Sequence, residues 1–212
     1  MAQGVNAVQV KVTISLLSRL RIVPRSMPPL VGSDLVLVAL GANVAGLFGA
    51  PRETLGWVVR ALSRPDVRVI AHSRLYVSRA VGIGSAPDFL NAVLAIDTSL
   101  PPARLLRLFK DLERRAGRRF CRVSGPRPLD LDLIAYRGWV VGRPHRRRSR
   151  GSLILPHPEA ANRRFVLEPL AEIAPHWRNP RTGEPIGQRL ARLPRAPGTL
   201  WPALDFVPDP CQ

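Results

Sequence analysis

Gly125-Pro126-Arg127-Pro128-Leu129-Asp130-Leu131-Asp132-Leu133-Ile134 alternates with the period of a β-strand. Successive side chains of a strand point to opposite sides, so Leu129, Leu131 and Leu133 fall on one face and Asp130 and Asp132 on the other. Carboxylates at i and i+2 have bases roughly 6 to 7 Å apart, and their tips can converge on a pair of hard cations about 3.5 to 4 Å apart. Arg127 adds a planar cationic fork suited to phosphate oxygens. Two readings stay open on this stretch alone: a magnesium platform, or an amphipathic strand with a solvated acidic face.

Working outward towards the N-terminus, a basic loop over 118–124 precedes the strand. Before it, Ser99 is placed to cap a helix that carries Leu105, Leu108, Phe109 and Leu112 on one side and stops at Gly117. Residues 89–97 alternate again, with Phe89, Asn91, Val93 and Ala95 on one face and Leu90, Ala92, Leu94 and Ile96 on the other. Residues 67–77 read as a strand, followed by a loop around Gly82-Ile83-Gly84 and Pro87. Pro51 and Glu53 suit the first turn of a helix in which Leu55, Val58, Val59 and Leu62 repeat at i, i+3, i+4 and i+7. The apolar run 35–40, closed by Gly41-Ala42-Asn43, is a buried strand entering a turn. The order strand, helix, strand, strand, helix, strand predicts an α+β, ferredoxin-like fold: an antiparallel sheet with its helices packed on one face and an open ligand-binding face. With the leucines against the helices, Asp130 and Asp132 face the open side.

Length and composition bound the rest. A chain of 212 residues suits one domain with tails. Residues 1–33 contain Lys11, Arg19, Arg21 and Arg25 but no acid, and are expected to be a disordered, dispensable extension, either a leader or an upstream segment with Met27 the true start. Residues 34–178 form the expected domain, and 179–212 a Pro- and Arg-rich tail. The net charge of +17 and pI near 11.7 invite a nucleic-acid partner. Nearly all of that charge is Arg, however, with Lys only at 11 and 110, a bias that a G+C-rich coding sequence also produces. A phosphate-rich small molecule serves equally well. An RNA-binding ferredoxin-like sheet would carry a run of aromatics that is missing here, and paired Asp on its binding face would repel phosphate without metal. The five arginines of 143–150 read as a solvated insertion. No apolar run reaches 18 residues, which argues against a membrane span. Cys121 and Cys211 make neither a disulfide framework nor a zinc spacing, so a cytoplasmic protein, expected to be monomeric, is the simplest reading.

Gly41-Ala42-Asn43, the run Asp88-Phe89-Leu90-Asn91, Gly125-Pro126-Arg127 with Leu129-Asp130-Leu131-Asp132, and His157 with Asn162-Arg163 and Phe165 together resemble 6-hydroxymethyl-7,8-dihydropterin pyrophosphokinase, over residues 35–177. The resemblance implies transfer of pyrophosphate from ATP to the pterin hydroxymethyl group with release of AMP and two Mg²⁺ bound with ATP. It implies that Asp130 and Asp132 hold the metal ions, and that Arg127 and Arg118, the latter opening a closing loop, act with them in catalysis. It places Lys110, Arg118, Arg122, Arg127, Ile134, His157 and Arg163 at the nucleotide. Ser78, Ala80, Val81, Phe89, Asn91 and Phe165 fall at the pterin, the two Phe rings as a sandwich and Asn91 as the amide that reads the ring edge. The chain departs from the family pattern at Arg79-Ala80, where a Pro-Pro pair is usual, at Lys110, where Gln is usual, and at Val123-Ser124, where a basic residue and Trp are common. A paralogue of the same fold with altered or lost pterin specificity is the alternative these departures raise.

Overall fold

The computed structural model describes residues 34–79, 87–118, 126–142, 153–194 and 200–202. The expectations for 1–33, for Ala80, Val81 and Arg122, for the arginines of 143–150 and for both cysteines lie outside these residues.

The apolar run becomes β1, Val36–Ala42, the inner strand between the two that carry the motif residues. Pro51, Glu53 and the 3.6-residue repeat give α1, Pro51–Leu62, with Leu55, Val58, Val59 and Leu62 buried. There follow β2, Val67–His72, β3, Tyr76–Ser78, and β4, Phe89–Thr98. Then come α2, Pro102–Arg115, and β5, Asp130–Tyr136. The strand expected over 67–77 is broken, because Ser73 intrudes on the ladder: the Val93 amide donates to the Ser73 hydroxyl at 3.0 Å, and the pairing with β4 resumes at Tyr76. Ser99 does not cap α2. The helix begins after Pro101, and the hydroxyl of Thr98 accepts the Leu100 amide at 3.1 Å, so a Pro-Pro start replaces a side-chain cap. Gly117, at φ +94°, ends the helix as expected.

Among the described residues the strands form one antiparallel sheet in the order β5-β1-β4-β3, with β2 on the same edge of β4 as β3. Leu129, Leu131 and Leu133 join Val36, Val38, Leu40, Ala92, Leu94 and Ile96 on one face, against Leu55, Leu62, Leu105, Phe109 and Leu112 of α1 and α2. Each fully buried side chain of this size contributes about 1.5–3 kcal/mol.

The second face is apolar towards one end and polar towards the other. Leu37, Val93, Ala95 and Ile134 line its apolar end, where an uncovered surface would be costly, and α3, Arg164–Ile173, covers them with Val166, Leu167 and Leu170. The expected tail supplies part of that cover. Ile186, Leu190 and Leu193 lie in or beside α4, Ile186–Arg192, and pack on the same cluster, while β6, Leu200–Pro202, pairs with β3. Pro and Arg content hid a short amphipathic helix in that segment.

Candidate active site

The polar end of the second face is crossed by one row of residues. Asp130 pairs with Gly41, Gly41 with Asn91, and Asn91 with Tyr76, so the first carboxylate, a bare backbone, an amide and a phenol share one side of the sheet. Gly41 keeps the middle of the row low: a Cβ there would lie 3.5 Å from Asn91 Oδ1 and 3.7 Å from Phe89. Asn91 is buried and donates its amide to Ser78 Oγ at 2.9 Å and to the Tyr76 carbonyl at 3.3 Å, which fixes the orientation of its Oδ1 above Gly41. Ser78, Phe89 and Asn91 are thus brought together as expected.

Asp130 is not a solvated acid. Arg118 donates to its Oδ1 at 2.6 Å, and Arg127 grips Oδ2. Burial alone would push the Asp130 carboxyl up, yet the guanidiniums of Arg127 and Arg118 outweigh it and hold the group below the ordinary carboxylate range. Arg118 is likewise opposed by burial and held above its ordinary value by Asp130 and Glu113. The bland reading of the Asp strand therefore fails at its first carboxylate, where an exposed acid would have cost nothing to leave alone.

Behind this cluster stands Glu113, which the sequence reading passed over. It is 2 % exposed, accepts the Leu131 amide at 3.0 Å, and pairs with Lys110 at 2.8 Å and Arg118 at 2.8 Å. One buried carboxylate thus ties α2 to the backbone between the two Asp residues and holds two of the expected nucleotide-site cations. Its signal was legible: Glu113 follows Leu112 and lies four residues after Phe109, on the apolar side of the helix. Asn43 is a second brace. Its Oδ1 accepts the Arg127 amide at 2.7 Å, its own amide donates to the Arg127 carbonyl at 3.0 Å, and its Nδ2 reaches the Pro87 carbonyl at 3.2 Å. Gly46 lets this corner close, since a Cβ there would meet the Ala116 carbonyl at 2.4 Å.

The remaining expected residues lie on the stretch after β5. The His157 amide donates to the Ile134 carbonyl at 2.8 Å, which brings those two positions together. A 3₁₀ turn, Ala160–Asn162, then delivers Arg163, whose guanidinium lies 5.8 Å from the Phe165 ring centroid. Further along α3, Glu172 accepts from the Tyr76 hydroxyl at 2.7 Å and from Arg74 at 3.3 Å. Burial and the neighbouring Glu172 push the Tyr76 phenol up to about 12, so it remains a donor that locks α3, and Phe165 with it, to the sheet.

The sequence profile described as 7,8-dihydro-6-hydroxymethylpterin-pyrophosphokinase matches residues 37–175, which span every element that builds this row and its braces. The chain belongs to this family. A pyrophosphokinase of that family from Pseudomonas aeruginosa is 38 % identical over 160 residues, covering 75 % of this chain and 91 % of the relative. One from Methylorubrum extorquens is 40 % identical over 157 residues, covering 74 % and 91 %. A crystal structure of Plasmodium falciparum HPPK-DHPS shares the fold at a TM-score of 0.54 and 12 % identity, over 74 % of this chain and 43 % of that one. Family membership and fold therefore rest on different relatives, the sequence matches for the first and the distant structure for the second.

Proposed function

We propose that this chain transfers pyrophosphate from ATP to the hydroxymethyl group of 6-hydroxymethyl-7,8-dihydropterin, yielding the pterin diphosphate and AMP for folate synthesis. The observation that carries the reading is the Asp130 cluster: a part-buried carboxylate gripped by two arginines, with Asp132 two residues on, at the polar end of a family-matched sheet.

Asp130 and Asp132 fit two Mg²⁺ ions as hard oxygen donors on one strand face. Among the described residues no group of three or more His, Cys, Asp or Glu side chains gathers as a metal site, so phosphate oxygens of ATP would complete the coordination. Bound there, magnesium supplies neutralisation of charge on the triphosphate. Arg118 and Arg127, now occupied by Asp130, are the forks that would transfer to phosphate oxygens as the nucleotide enters. His157, Arg163, Lys110, Ile134 and Arg122 belong to the nucleotide side in this reading. Phe89 and Phe165 sandwich the pterin, Asn91 reads its edge with Oδ1, and Ser78 fixes that amide; Ala80 and Val81 complete the pocket by backbone. Positioning and electrostatics, rather than a covalent intermediate, carry the rate.

No helix of the described residues is long and apolar enough to cross a membrane. A cytoplasmic monomer acting on two small molecules, without a specific nucleic-acid partner, is the accompanying reading. Incubation with ATP, Mg²⁺ and hydroxymethyl-dihydropterin should release AMP and the pterin diphosphate in equal amounts. ADP as the product, or no pterin-dependent AMP, overturns it.

A further inference from the structure

The family match ends at residue 175, yet side chains from beyond it reach back onto the stretch that bears His157 and Arg163. At its start, one Arg181 nitrogen lies 2.8 Å from the Gly142 carbonyl, 2.8 Å from that of Leu155 and 3.0 Å from that of Val141. Leu155 stands two residues before His157. At the other end, Arg189 Nε donates to the Ala161 carbonyl at 2.7 Å and its Nη2 to Asn162 Oδ1. Asn162 directly precedes Arg163. The grip is mutual, because Arg164 donates to the carbonyls of Leu190 at 3.0 Å and Leu193 at 2.9 Å.

Between these holds the stretch is tied down at two points, the His157 amide on the Ile134 carbonyl at 2.8 Å and the buried Ala160. Its regular structure is one 3₁₀ turn of three residues, a form too short to be stable without outside partners. The guanidinium is well suited to the task, since its fixed fork satisfies a carbonyl and a side-chain oxygen together.

We propose that Arg189, assisted by Arg181, is a positioning residue that pre-organises the nucleotide arm of the site, holding Arg163 over the Phe165 ring before ATP arrives. The inference rests on the reading of His157 and Arg163 as nucleotide contacts. It assigns residues 178–193 a part in substrate affinity in addition to their part in the core.

The test is a cycle of Arg189→Met, Arg163→Ala and the double variant, with binding of a non-hydrolysable ATP analogue plus Mg²⁺ measured by calorimetry. Arg189→Met keeps the aliphatic stem that packs and removes the donors. It should weaken analogue binding about tenfold, roughly the scale of one charge-assisted hydrogen bond. KM for ATP should rise in step while kcat and pterin affinity stay within about twofold. The double variant should bind no more weakly than Arg163→Ala, and Arg189→Lys, with one donor restored, should recover part of the loss. Wild-type affinity in Arg189→Met beside a loss in Arg163→Ala overturns the brace, as do independent, multiplying losses in the double variant. Wild-type affinity in Arg163→Ala would instead overturn the site reading, and the brace with it. Should Arg189→Met not fold, Arg189→Lys carries the same comparison.

Discussion

The two faces of the sheet are built on different rules. On the face under α1 and α2 the strands β1, β2, β4 and β5 contribute alternate apolar residues, and the cover is continuous from Val36 to Leu40 and from Ala92 to Ile96. On the other face the same strands change character midway: Leu37, Val93, Ala95 and Ile134 are packed beneath α3, whereas Gly41, Asn91, Asp130 and Asp132 are not part of that core. The first face is devoted to stability. The second spends half its length on stability and leaves the rest polar, where the groups must be fixed by each other.

The contrast predicts that substitutions on the two faces separate stability from turnover. Phe109, fully buried beneath the first face, should cost about 3–5 kcal/mol of unfolding free energy as Phe109→Ala, with kcat per folded molecule retained. Chemical denaturation beside an activity assay at low temperature checks this. A kcat loss matching the stability loss would show that the first face is coupled to the site. Asp132→Asn should do the reverse, lowering turnover by about 10²–10³-fold, or roughly 3–4 kcal/mol of transition-state stabilisation, while unfolding shifts by no more than about 0.5 kcal/mol. AMP release and melting measured on one preparation decide it, and retained turnover removes Asp132 from the metal site.

A smaller effect probes the boundary between the two halves of the second face. Phe165 lies in the first turn of α3, beside the packed core, and carries Arg163 over its ring. Phe165→Ala should weaken pterin binding by about 1–3 kcal/mol, the worth of a stacked ring. Nucleotide affinity should fall less. Equal losses for both ligands would make Phe165 part of the core that α3 covers.

How much of this was legible in the sequence follows the same division. Strict alternation with Leu at 129, 131 and 133 and the helical repeat from Leu55 to Leu62 state their burial locally, and both elements formed where expected. The break at Ser73 was not local, because it depends on the Val93 amide of another strand taking the hydroxyl as partner, whereas the start of α2 is a local matter of Thr98 and the Pro101-Pro102 pair. In the site, the motif residues were readable because their types are unusual for a strand. Glu113 was marked only by its place on the apolar side of α2, four residues after Phe109, and its partners, the Leu131 amide and Arg118, come into range only once the helix is docked. Residues 179–193 were misread for a related reason. A composition rich in Pro and Arg resembles a tail, and only the apolar Leu37 to Ile134 end of the sheet, waiting for cover, gives Ile186 and Leu190 a place to go.

The finest probe of the polar half is pH, because Asp130 is held there by charge and not by packing. Its folded carboxyl titrates below the ordinary range, while in the unfolded chain it returns to about 3.9. The sign follows from proton binding: as pH falls below that ordinary value the unfolded chain takes up a proton that the folded protein still refuses, so unfolding is favoured. The stabilisation from the Arg118 and Arg127 pairs is therefore fully present above about pH 5, declines as pH drops below about 4, and is lost once the folded carboxyl protonates. Asp130→Asn is neutral at every pH and has no such slope. The melting temperature of wild type should exceed that of the variant at pH 7, and the gap should narrow steadily as the buffer is taken towards pH 3. Added salt should leave part of the gap in place, because partly buried pairs are screened less than exposed ones. A gap independent of pH would mean that Asp130 contributes by shape and hydrogen bonding alone, and that the two arginines are not held on it as charges ready to be handed to phosphate.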